Sequence, residues 1–565
     1  MSETDYPIDL GPTTTLPATT RSPLAQTWYA RGCAWASGFH REEASHCFSE
    51  AIKADPECCM AHWGLSLVNG PDYNFHAKVG FYGLAAQAEG FPSLNVATTA
   101  AARAVELAQA SDSCPPREKA LAQALATRYE WPITETTPEL QERYADEMEK
   151  VAAAFADDAD VQAVCAEALM CLAPWDLYEK DQTPKPIGLR IKAVLDRGLA
   201  AKPGHLWLCH LKMHYSEMGP VDSFDWHAAN VVRASGTEVG HMIHMPTHLD
   251  IQAGDYKSAM ELNMRAVQMD LKLHALSPSR FTIYFGYALH NMEFAAWAAM
   301  YAGCKATALA AVDHIDAFLT EPVLRSHPVM STFNELFLTT RLMVLIRFGL
   351  WADILATPFK EDAELYLGHT LFLHYARGIA LGATGDAPAG RAAEKAFHAL
   401  LAQVKPDDRR KHNVHIVHMA EIASDVLSAE LHYREGGFEQ AFDALERGVA
   451  RFDALPYDEP HGWLMSVRQT QGALLTEQGE HERAIAAYKR DLQTFPGNIW
   501  SLTGLRLCYA ARADPRVRSV DLELRQAAEV ADVPIGASCA CALTSWRAAT
   551  AADKCAEKSA CCSKY

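Results

Sequence analysis

The chain has 565 residues, of which 49% are hydrophobic and 21% charged, and a net charge of −19. At about 150 residues per domain this length allows three or four domains or one continuous repeat array, and the composition excludes a wholly disordered chain. With 51 Lys and Arg against 70 Asp and Glu there is no concentrated positive field, so a nucleic-acid partner is not expected.

Residues 1–25, rich in Thr and Pro, are expected to form a disordered lead. They have neither the positive start nor the apolar run of a secretory signal. No stretch of 18 residues is apolar and charge-free enough to span a bilayer; the best candidate, FAAWAAMYAG, stops at Cys304 and Lys305. The expectation is a cytoplasmic protein with no membrane partner. Its 15 cysteines would then remain thiols, acting as small hydrophobes or as groups for metal or redox chemistry.

Trp28, Gly32, Trp35, Ala44, Phe48, Ala51 and Pro56 match every landmark of the 34-residue tetratricopeptide pattern. Small residues at 32, 44 and 51 allow two helices to approach, aromatics fill the gaps, and Pro56 stops the second helix.

Seven His fall between 205 and 248 (His205, His210, His214, His227, His241, His244 and His248), where an even spread of the 24 in the chain would put about two. His210 and His214, at i and i+4, share one helical face. His241, His244 and His248, at i, i+3 and i+7, fall within a sector of about 60°. Taking Gly254 as the turn glycine of a repeat places its first helix at about 240–253, with Asp255 capping the next helix. Gly303 as the equivalent turn puts His290 and Glu293 on the first helix of the following repeat. Pro246 has no N–H, so either a helix starts there or the chain kinks at that point.

Three or more converging imidazoles suit a transition metal, copper or iron ahead of zinc. The expected ligands are His210, His214, His241, His244, His248 and His290. Glu217 and Glu293 are the candidate proton-moving carboxylates. His412, His415 and His418, also at helical spacing, follow DDRRK and read as a solvated face.

Weaker repeats begin at Gly254, Ala302 and Gly436, and Gly472, Ala484, Tyr488 and Pro496 restore the offsets of the first. The expected fold is an all-α, tetratricopeptide-like α-solenoid over 26–512, with a C-terminal helix and Cys-rich tail over 513–565. Cys539, Cys541, Cys555, Cys561 and Cys562 crowd that tail and would suit a soft ion such as Cu(I). No phosphate-cradling GxxxxGK[ST], dinucleotide GxGxxG, nucleophile-elbow GxSxG or HExxH occurs.

The strings AHWGLSLVNGPDYN (61–74), AEALMCLAPWD (166–176), HLKMH (210–214), HMIHMPTHLDIQAGDY (241–256), ALHNMEF (288–294), YDEPHGWLMSVRQTQGALL (457–475) and DLQTFPGNIWSLTGL (491–505) resemble a large, mostly uncharacterised group of bacterial and fungal tetratricopeptide-repeat proteins. That group carries HxxxH, HxxHMPxH and HN motifs. The resemblance implies a tetratricopeptide-like solenoid and marks the five motif histidines and His290. This chain departs from the group at Glu293, where members often have His, and at His461, where they have Pro. Three functions remain open: a metal-dependent oxidoreductase (hydrolase as a variant) acting on a small molecule, a scaffold binding a peptide or protein, and a copper-handling protein.

Overall fold

In the computed structural model the residues described are 6–12, 16–75, 93–326, 328–406 and 409–542. The fold is all-α, of the tetratricopeptide-like solenoid class, built from consecutive helix pairs such as Pro23–Ser37 with Arg41–Ala54 and Val467–Glu477 with His481–Thr494. Among the described residues the only strands are Arg410–Lys411 and Val414–His415, an antiparallel hairpin pairing Arg410 with His415 and Lys411 with Val414. No described helix is long and apolar enough to cross a membrane.

The repeat landmarks do the work their sizes dictate. A Cβ on Gly32 would lie 2.6 Å from the Phe48 ring, and one on Gly64 2.4 Å, so Phe48 wedges between two helices that only glycine allows this close. The same device recurs far along the chain, where Tyr488 sits between Gly472 and Gly504. Helix starts follow local chemistry. Ser22 Oγ accepts from Ala25 N ahead of Pro23, and Asn498 Oδ1 accepts from Ser501 N at 2.9 Å.

The chain forms two compact units, residues 1–249 with 265–288, and 250–264 with 289–565. The first buries Trp35, Trp63 and Tyr144, and the second Trp463, Trp500 and Tyr375. In the second unit, the Trp500 indole donates to Met300 O at 2.6 Å and Trp297 to Leu464 O at 3.0 Å.

Gly254 turns with φ +87°, and a Cβ there would meet Pro496 O at 2.5 Å. Asp255 caps the following helix by accepting from Ser258 N at 3.0 Å. Gly254→Ala is therefore expected to cost about 1–3 kcal/mol, read as a lower urea midpoint; an unchanged midpoint would contradict this account of the turn.

Three local expectations are corrected. The Thr/Pro-rich lead is packed where it is described: Ile8 and Leu16 are buried, Tyr6 OH donates to Glu43 at 2.9 Å, and Thr19 binds Glu118. Polar composition hid these few anchoring side chains. His412 lies in the hairpin turn with φ +48° and His415 precedes helix Ile416–Arg434, so the 412–418 histidines do not share a helical face. Beyond helix Val517–Ala527, the chain packs back on the second unit. Asp532 accepts from Lys305 N and Ala306 N, and residues 537–542 are largely buried.

Candidate metal centre

Helix Leu206–Ser216 is buried along its whole length, which removes solvent from both of its motif histidines. His210 and His214 lie one turn apart with ring centroids 4.8 Å apart and planes tilted by 47°. His210 Nδ1 donates to Ser37 O at 2.6 Å, which leaves Nε2 as a lone pair 3.2 Å from His241 Nε2. His214 Nδ1 donates to Glu217 Oε1 at 3.0 Å. The Nε2 of His214 is buried and has no hydrogen-bond partner.

Pro246 resolves the other motif. The chain forms a short helix, Gly240–His244, and a second one, Pro246–Gln252, that begins at the proline, where a missing N–H breaks nothing. Both the helix start and the break are therefore present, and His241 and His244 lie on a helix. Gly240 lets this turn approach its neighbour, since a Cβ would lie 1.9 Å from Asp270 Oδ1. Tyr284 OH accepts from His241 N at 3.0 Å and pins the helix start. His248 Nδ1 donates to Glu217 Oε2 at 2.7 Å, and its Nε2 lies 2.5 Å from His244 Nε2.

One carboxylate thus holds two rings in the same tautomer. Accepting from both Nδ1–H groups, Glu217 leaves the Nε2 lone pair of His214 available and turns the Nε2 of His248 toward His244, the usual way a carboxylate stands behind metal-bound imidazoles. Ligand atoms of His210, His214 and His241 all lie within 4.8 Å of one another, as do those of His214, Glu217 and His248. Two nitrogens on one tetrahedral ion, each about 2.0–2.1 Å from it, stand about 3.3 Å apart. The His210–His241 separation of 3.2 Å matches that spacing. These buried groups could hold a metal ion.

Burial sets the protonation state. Desolvation, then the charge of neighbouring imidazoles, holds His210, His214 and His241 well below the ordinary histidine range. All three rings are therefore neutral at pH 7, the form that binds a cation.

An aromatic shell covers the cluster. Phe39 lies 4.6, 5.8 and 5.6 Å from the rings of His210, His214 and His241, and its backbone takes φ +58°. Tyr73 packs 5.0 Å from His214, and Tyr287 lies 4.9 Å from His241. Trp175 N donates to Tyr73 OH at 3.1 Å, which ties the 61–74 and 166–176 strings to this centre. Sequence reasoning singled out none of Ser37, Phe39, Tyr73, Trp175 or Tyr287. The presence of Tyr73 and Trp175 in strings of their own was the available signal; Ser37 and Phe39, at the first repeat turn, gave none.

His290 and Glu293, on helix Phe285–Ala302, belong to the second unit. His290 packs against Phe294 and His412, and the Glu293 carboxylate accepts from Lys411 Nζ and Thr340 Oγ1, both at 2.5 Å. Of the tail cysteines, Cys539 and Cys541 are joined in a disulfide, which leaves neither thiolate for an ion. Cys555, Cys561 and Cys562 lie outside the described residues. His205 caps its own helix and binds Asp160, while His227 is exposed.

Within the first unit, Glu167 accepts from the Trp207 indole at 3.1 Å, and burial, then Asp72, raises its carboxyl to about 8. The folded chain thus holds this proton where an unfolded chain, titrating near 4.5, releases it. The contribution to stability is full below about 4.5 and is lost as pH rises through about 8. Glu167→Gln keeps an acceptor for Trp207 and removes the titration. The variant's urea midpoint is expected to gain on the parent's between pH 5 and pH 9; parallel curves would contradict the raised value.

No family model matches the chain, and no curated protein does. Solved structures similar to it include the human IFIT1 dimer with m7Gppp-AAAA, with a TM-score of 0.33 and 11% identity over 90% of this chain and 91% of that one. Others are the APC/C hetero-tetramer Cut9–Hcn1 (0.28, 11%, 94% and 96%) and yeast Tom70 (0.27, 11%, 89% and 92%). Likeness at this level says nothing of ligand or activity.

Proposed function

We propose that the first unit binds one transition-metal ion on His210, His214 and His241, and that the protein is a metal-dependent oxidoreductase acting on a small molecule. The observation that carries the reading is the His214 ring: fully buried, oriented from behind by Glu217, with its Nε2 unpartnered beside His210 and His241. A buried polar atom left without a partner is costly, and an ion at that point removes the cost. Three neutral donors leave the ion's charge uncompensated, and copper or iron would supply one-electron chemistry there.

The surroundings favour redox chemistry over hydrolysis. His210, His214 and His241 are at most 1% exposed, and Phe39, Tyr73 and Tyr287 keep bulk water away. Glu217, fully buried and shared by two rings, acts as a positioning residue and as the nearest proton acceptor. Membership of the group that carries the HxxxH, HxxHMPxH and HN strings is part of the same proposal.

The test is elemental analysis of the purified chain before and after dialysis against a chelator, alongside His241→Ala. About one equivalent of copper or iron is expected in the parent, and none in the variant. A parent that takes up no ion at pH 7.5 would overturn the reading.

A further inference from the structure

The second unit buries a short segment of the chain that no helix pair requires. Ala537, Ser538, Ala540, Cys541 and Ala542 are each at most 3% exposed. Their backbone is gripped by cations from two different helices: Arg347 Nη1 donates to Ser538 O at 3.4 Å, and Arg434 Nη2 donates to Cys541 O at 2.5 Å. The Ser538 hydroxyl donates to Gln469 O at 2.7 Å and lies 2.7 Å from Tyr488 OH. Thr470 Oγ1 approaches Cys539 Sγ at 3.7 Å, and Ile346, Tyr375, Val426 and Trp463 form the apolar walls.

We propose that the second unit is a recognition groove for a disulfide-closed Cys-X-Cys loop, held here by the chain's own Cys539–Cys541 and opened when that bond is reduced. Three features select this ligand. The arginines read main-chain carbonyls, so the occupant must be non-helical where they reach it. Methyl side chains at 537, 540 and 542 are all buried, so the occupant is slim at these three positions. The disulfide closes the chain across Ala540 and fixes the loop, whose Cys541 N lies 3.2 Å from Cys539 Sγ and whose Ala542 N donates to Cys539 O at 3.1 Å. A loop already held in its bound shape loses little entropy on docking, whereas the open dithiol must be ordered first.

The redox step uses a dithiol reductant. One S–S bond breaks, two electrons and two protons give thiols at Cys539 and Cys541, and the reductant leaves as its own disulfide. This inference rests on the second unit alone and stands or falls separately from the metal centre.

The test uses the full chain and a fluorescent heptapeptide of residues 536–542, GASCACA, in its oxidised and reduced forms. The parent is expected to refuse the oxidised peptide. The Cys539→Ser/Cys541→Ser chain, which cannot close the loop, is expected to bind it, at least about tenfold more tightly than the reduced form. Adding Arg347→Ala should remove the binding. Hydrogen exchange on the unsubstituted chain gives an independent reading that does not depend on the variant folding: amides of 537–542 should exchange faster once a dithiol is added. Unchanged exchange on reduction would overturn the proposal, as would a double variant that folds and takes up neither peptide.

Discussion

His214→Ala is expected to weaken binding of a first-row divalent ion far more than Glu217→Gln does. Losing a group that stands behind a ligand typically costs about 10–100-fold in affinity, and losing the ligand itself must exceed that. His214 is the sharpest choice because its Nε2 makes no hydrogen bond within the protein, so its removal disturbs no protein–protein hydrogen bond on that side of the ring. Glu217→Gln is the informative companion. An amide can accept from only one of the two Nδ1–H groups as Glu217 now does, and its own N–H₂ would face the other. Competition with a chromophoric chelator separates the two variants. Equal affinities for the parent and His214→Ala would place the ion elsewhere.

The second large effect is on stability. Lys411 is 2% exposed, and its ammonium lies 2.5 Å from Glu293 Oε1, whose carboxylate is fully buried and also takes the Thr340 hydroxyl. Lys411→Met deletes the cation and strands a buried anion, which costs about 3–5 kcal/mol. Lys411→Met combined with Glu293→Gln removes both charges and should recover much of that loss. Urea unfolding of the two chains measures the difference. A single variant as stable as the parent would contradict this account of the pair. The pair lies near a strained turn: His412, the residue after Lys411, has φ +48°, and Asp458 nearby is raised to about 8 by burial.

The parts of this fold that follow from local size and spacing were legible in the sequence. Gly32, Phe48, Gly472 and Tyr488 announce helix pairs because a wedge of that size needs glycine opposite it, and the structure places them in that relation. The spacing of His210 and His214 likewise gave one helical face, and their ring centroids lie 4.8 Å apart. What could not be read was which side chains arrive from distant turns. Phe39 and Ser37 reach the centre because the first repeat packs beside helix Leu206–Ser216, more than 160 residues later in the chain. Glu293 carries a carboxylate suited to proton transfer, yet its partner Lys411 is 118 residues away, and no periodicity reports that pairing. The Cys-rich tail read as a soft-metal segment because its thiols are crowded along a run of Ala and Ser. In the second unit those small side chains are what lets residues 537–542 be buried.

The central claim is that one ion sits among imidazoles of the first unit. X-ray absorption at the metal edge of the chain loaded with one equivalent of copper or iron tests it most directly. The account predicts a first shell of nitrogen donors near about 2.0 Å with the outer-shell scattering of histidine rings, collapsing in His210→Ala. A shell dominated by sulfur, or one unchanged by that substitution, would contradict it.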